Sequence, residues 1–130
     1  MIAFDTNVLL RLFVKKDDPD LSARAERALA RYAPVYLSDV TLAEFAWVCR
    51  RKFKMARRDI IQCVDALVEA PEFVVRDEDV VASALHGFRS RKSDFADWLI
   101  GEANKAAGCE MTLTFDESAA KSALFALVEV

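Results

Sequence analysis

The sequence predicts an α/β fold, a three-layer α/β/α domain built on a mostly parallel sheet of four to five strands. Three observations carry this prediction. Short apolar runs at residues 1–4, 34–38, 73–75 and 111–114 alternate with longer stretches whose apolar residues recur at helical spacing. The first run leads at once into Asp5-Thr6-Asn7, and the last leads into Phe115-Asp116, so a carboxylate follows a strand near each end of the chain. Finally, a 54% hydrophobic composition with nine Phe, three Gly and three Pro belongs to a globular chain rich in regular structure.

At 130 residues the chain has the length of one ordinary domain, expected to span residues 1–130. Eighteen basic against twenty-one acidic residues give a net charge of −3, so overall charge does not announce a nucleic-acid binder and local patches must carry any such case. Cys49, Cys63 and Cys109 are odd in number and lack metal-ligand spacing, which points to reduced thiols. No signal-peptide pattern and no apolar run of spanning length occurs, and a soluble cytoplasmic protein is expected.

Taken in order, Asp5 ends the first strand and begins a short helix over Val8 to Val14. Asp5 is itself a good N-cap residue, which is the bland explanation for it. A polar loop, Lys15 to Asp20, precedes an amphipathic helix carrying Leu21, Ala25, Ala28 and Leu29. Ser38 and Asp39 can cap a third helix with Leu42, Phe45, Ala46 and Cys49 on its apolar face, and Glu44 is expected in its first turn. Arg50 to Arg58 holds six basic residues in nine positions, either a solvated helix end or a phosphate-binding patch. A fourth helix runs through Ile60 to Val68, and a fifth starts at Asp77 or Asp79 and runs to Phe88. His86 has no second histidine or nucleophile to work with and is assigned no role. The second basic stretch, Arg89 to Lys92, runs into Asp94-Phe-Ala-Asp97, where Asp94 reads as N-cap and Asp97 as the third residue of a sixth helix. Gly108 ends that helix, and Ser118 to Leu124 is expected as a short helix before an edge strand at residues 125–128.

In open α/β sheets ligands bind beyond the carboxyl ends of the strands, where Asp5 and Asp116 fall. If Glu44 and Asp97 stand in the first turns of their helices, four carboxylates meet at one rim. Like charges that close repel by several kcal/mol at low dielectric, and cations relieve them. Oxygen ligands without His or Cys select Mg²⁺ or Mn²⁺, whose chemistry is phosphoryl transfer to water. No Gly-rich phosphate loop with Lys is present, which argues against nucleoside triphosphate hydrolysis.

Four segments together resemble the signature segments of PIN-domain ribonucleases. They are Asp5-Thr-Asn-Val-Leu-Leu10, the helix with Ala43-Glu44, Asp94-Phe-Ala-Asp97-Trp-Leu-Ile100, and Thr112-Leu-Thr-Phe-Asp116. Each is weak alone, whereas all four in order at these spacings are specific, and chain length is most similar to the VapC toxins of toxin–antitoxin pairs. The resemblance implies a Mg²⁺- or Mn²⁺-dependent endoribonuclease with Asp5, Glu44, Asp97 and Asp116 as its acidic quartet, Asp5 and Asp97 foremost as metal ligands. It implies that Asn7 and Thr114 support the site by hydrogen bonds and that Asp94 caps its helix behind the ligands. It also implies a homodimer silenced by a VapB-type antitoxin, with Arg50, Arg51, Arg89, Arg91 and Lys92 holding RNA phosphates or the antitoxin tail. Trp98 departs from the small residue usual in the family.

Other classes fit less well. A phospho-receiver needs an acceptor Asp after the third strand, where this chain has Arg76. An Asp-nucleophile phosphatase needs a second Asp two residues after the first, where it has Asn7. A housekeeping RNA-processing nuclease of the same fold is the remaining alternative.

Overall fold

Side-chain caps from Asp5, Asp18, Ser38 and Asp77 mark where four of the helices begin. In the computed structural model, which describes residues 1–90 and 93–129, these helices and the strands between them fall into two compact units, Met1–Arg76 and Asp77–Val130.

In the first unit, β1 (Ile2–Ala3) turns at Asp5 into α1 (Thr6–Phe13). The Asp18 carboxylate then accepts from the Asp20 and Leu21 N–H groups and starts α2 (Pro19–Tyr32), with Pro19 in the first position, where a missing N–H costs nothing. After β2 (Val35–Leu37), the Ser38 hydroxyl accepts from the Thr41 N–H and opens α3 (Asp39–Arg51). α4 (Arg57–Glu69) and β3 (Phe73–Val75) complete the unit. The strands form one parallel sheet in the order β1-β2-β3, with Ile2 beside Val35 and Val35 beside Phe73. Parallel neighbours need long crossovers, and two helices supply each of them here. Leu9, Val35, Leu37, Leu42, Phe45, Ile60, Val64 and Leu67 are buried, the apolar helix faces that the spacing predicts.

In the second unit, Asp77 accepts from the Asp79 and Val80 N–H groups and starts α5 (Glu78–Ser90). α6 (Phe95–Ala106) follows and stops at Gly108, whose φ of +100° disfavours side chains. β4 (Thr112–Thr114) pairs in parallel with β5 (Phe125–Leu127). The segment between them is a single 3-10 turn, Ala119–Lys121, where the sequence predicts a helix over Ser118 to Leu124. The Ser122 hydroxyl accepts from the Leu124 N–H and bends the chain into β5 before a helix can extend.

Parallel ladders alternating with helices make this the α/β class that the sequence predicts. Among the described residues no helix is long and apolar enough to cross a membrane, and the three cysteines are free.

α5 and α6 pack at very close range. A Cβ built on Gly87 would fall inside the indole ring of Trp98, which is buried at 8% exposure. The Phe88 and Phe95 rings, on the same two helices, meet edge to face at 6.0 Å. Gly to Ala in a helix interior ordinarily stabilises by about 1 kcal/mol. At Gly87 the sign is expected to reverse, to a loss of about 1–3 kcal/mol from overpacking. In a Trp98→Ala background Gly87→Ala should become neutral or stabilising. Urea denaturation of the four proteins of this cycle tests it, and additive effects would contradict the contact.

Candidate functional site

The register of the first sheet sets where the first candidate acid stands. Ile2 and Ala3 pair with Val35 and Tyr36, and the Phe4 N–H still donates to the Tyr36 carbonyl at 3.3 Å. The next residues on the two strands, Asp5 and Ser38, therefore leave the sheet at the same end, each as the cap of a helix. Asp5 is exposed, and its Oδ1 accepts from the Val8 N–H at 3.2 Å. The bland explanation of Asp5 thus holds for one oxygen and leaves the other outside the cap. Asn7, also exposed, stands in the first turn of α1.

Glu44 is not in the first turn of its helix. With Ser38 as the cap, the first-turn acid is Asp39, which bonds Arg76 at 2.8 Å, and Glu44 is the sixth helical residue. It lies roughly 9 Å along the axis from the helix start. Its side chain is exposed. Helical side chains lean toward the N-terminus, so a glutamate at this position reaches back further than an aspartate would.

The second unit gathers the other acids. Asp94 occupies the N-cap position of α6, and its carbonyl accepts from the Asp97 N–H at 3.1 Å, yet its side chain makes no capping bond. The expectation that the Asp94 carboxylate caps the helix is corrected to that extent. Asp97 is half-buried in the first turn. Its pKa is raised, first by burial and then by the negative charges of Asp116 and Asp94, while a backbone hydrogen bond at Asp94 opposes the shift. Asp116 follows β4. Its N–H donates to Thr114 Oγ1 at 3.0 Å, and its Oδ1 accepts from the N–H groups of Ser118 at 2.8 Å and Ala119 at 3.3 Å.

Two hydroxyls that sequence reasoning passes over join these loops. Ser93, just before Asp94, and Ser118, just after Asp116, place their Oγ atoms 3.5 Å apart. No motif spacing reveals a contact between residues 25 positions apart.

Hard carboxylate oxygens under mutual repulsion are the donor chemistry that suits Mg²⁺ or Mn²⁺. Among the described residues no three such side chains are grouped closely enough to hold a metal ion. One oxygen of Asp5 and one of Asp116 already serve backbone N–H groups.

The basic stretches divide. Arg50 and Arg51 lie in the last turn of α3, where the helix dipole favours them, but Arg57 and Arg58 open α4 at the end where it does not. Arg58 makes a long, exposed pair with Asp59 at 3.9 Å. Arg89 is exposed in the last turn of α5, and Arg91 and Lys92 lie outside the described residues.

The sequence profile of the PIN domain matches residues 2–123. A comparison with curated proteins finds no match.

The raised Asp97 pKa has a stability consequence with a fixed sign. The folded state holds this proton more tightly than the unfolded state does, so ionisation destabilises the fold. The penalty is absent well below the ordinary value of 3.8, grows as pH rises through the shifted range, and is complete above it. Without metal, Asp97→Asn should raise the melting temperature at pH 7 and give a smaller gain at pH 3.5. Thermal denaturation in EDTA at the two pH values measures this, and a larger gain at the lower pH would contradict it.

Proposed function

The chain belongs to the PIN domain family, and we propose that it is a divalent-metal-dependent endoribonuclease acting as the toxin of a toxin–antitoxin pair. PIN domains are typically nucleases, and the family match covers nearly the whole chain. The observation that carries the reading is the family match over residues 2–123, and the half-buried Asp97, its carboxyl pushed up by burial and by Asp116 and Asp94, agrees with it. Such mutual repulsion is a feature of functional sites and is relieved by a hard cation.

Asp5, Glu44, Asp97 and Asp116 are the acids of the reaction in this proposal, with Asp5 and Asp97 foremost as ligands of Mg²⁺ or Mn²⁺. When bound, the cation supplies Lewis acidity for hydrolysis of a phosphodiester bond. The Val8 N–H fixes one oxygen of Asp5, and the Ser118 and Ala119 N–H groups fix one of Asp116, so in each case the second oxygen has a set direction. Thr114 holds the backbone entering Asp116, and the Ser93–Ser118 contact ties that turn to the loop before Asp97. RNA, including tRNA and ribosomal RNA, is the proposed substrate, with a homodimer and a VapB-type antitoxin as partners. The four acidic segments in order support the nuclease part of this reading, and the toxin role rests on the resemblance to VapC-type toxins.

RNA cleavage by the purified protein with Mg²⁺, Mn²⁺ or EDTA tests the activity. Asp5→Asn and Asp97→Asn should each reduce metal-dependent cleavage by about 100-fold or more, the scale on which losing one charge-stabilising group is felt. Cleavage that persists in EDTA or in both variants would overturn the assignment. For the toxin role, the small protein encoded immediately upstream should co-purify with the chain and suppress cleavage.

A further inference from the structure

Within the first unit, α1, α2 and the end of α3 enclose a pocket of about 610 Å³ that no acid of the proposed site lines. Its walls combine two kinds of surface. Leu10, Ala25 and Val48 form an apolar floor, while Arg11, Lys15, Arg24 and Lys52 bring four cations to it. Asn7 lines it too, two residues from Asp5, and Phe53 lies beside Lys52 at 36% exposure.

The cations are not equivalent. Arg11 is tied to Asp17 at 2.7 Å, and Arg24 reaches Asp20 only at 3.9 Å. Lys15 and Lys52 have no ion pair among the described residues. Two uncommitted ammonium groups, an exposed aromatic ring and an amide together match the parts of one nucleotide: phosphates, a base face and base-edge hydrogen bonds. The volume lies within the range of pockets that take small organic groups.

We propose that this pocket is a nucleotide-binding subsite for single-stranded RNA, with Lys15 and Lys52 on flanking phosphates and an unstacked base against Phe53. The inference rests on the nuclease reading and extends it, because it gives the protein a place to grip RNA away from its acids. An acidic amphipathic peptide is the other occupant that the same charge and floor would admit, and the test separates the two.

The probe is a fluorescein-labelled ten-nucleotide single-stranded RNA of mixed sequence, read by anisotropy with Mg²⁺ present and Asp97→Asn as the common background to limit cleavage. Adding Lys15→Ala and Lys52→Ala together should weaken binding several-fold. It should also reduce the slope of log K against log [KCl] by about 1.4, the loss of two single-strand phosphate contacts. Phe53→Leu, which keeps apolar bulk, should weaken binding about 5-fold or more with the slope unchanged, since only stacking is removed. Lys121→Ala in the second unit should change neither.

Unchanged affinity and slope in the folded lysine and Phe53 variants would overturn the subsite, even if the wild-type protein cuts RNA. Variants that lose an Asp- and Glu-rich amphipathic peptide but keep RNA would overturn it in favour of a peptide groove. A wild-type protein that neither binds nor cuts RNA would remove the nuclease reading and the subsite together.

Discussion

Backbone N–H groups at the starts of helices and turns hold the negative charge on which the rest of this molecule depends. Val8 serves Asp5, and Ser118 and Ala119 serve Asp116. A helix start concentrates unpaired N–H groups and a positive dipole end, so it tolerates a carboxylate where an apolar wall would not. The same device caps α2 with Asp18 and α5 with Asp77, where no chemistry is implied. Asp5, Asp77 and Asp116 each stand two residues beyond a strand end, so placement alone does not separate the candidate acids from a plain cap. The charge around Asp97, which Asp116 contributes, is what marks the second unit.

Asp97 is held under the opposite balance. It stands in the first turn of α6, where the dipole welcomes it, yet burial and two neighbouring acids outweigh that and raise its pKa. A fold that needed only a helix cap would have no reason to crowd three carboxylates into one unit. Net charge hides this tension, because eighteen basic residues elsewhere nearly cancel the acids in the total.

Most of the fold was legible in the sequence because the apolar spacing and the capping residues agree. Phe73–Val75 is a strand as predicted, and α3, α4 and α5 bury most of the faces that their periodicity marks. Of the expected face of α2, Ala25 is buried, whereas Leu21, Ala28 and Leu29 are half-buried. The difficulties arise where two residues could play one part. Ser38 and Asp39 can each cap α3, and the choice between them changes where Glu44 stands relative to the first turn. Asp94 occupies a cap position without making the capping bond, since position is a property of sequence and side-chain direction is not. The Ser93–Ser118 contact and the cation-lined pocket join distant residues through tertiary packing, which no local pattern encodes. The run from Arg50 to Arg58 reads as one patch in the sequence, but it spans a helix end, a loop and a helix start. Of its basic residues Lys52 lines the pocket, while Arg50, Arg51, Lys54, Arg57 and Arg58 do not.

The contact between Gly87 and Trp98 constrains how this chain can change over time. Enlarging residue 87 first meets the indole ring, and shrinking residue 98 first leaves a cavity, which for a buried tryptophan costs about 3–5 kcal/mol. Either single step costs stability, so the two positions are energetically coupled. The indole N–H is buried without a partner among the described residues, so the pair is retained for shape and not for hydrogen bonding. Asp97 is the residue next to this lock in the chain. The close packing of Trp98 against Gly87 therefore anchors the helical turn that carries the Asp97 carboxylate.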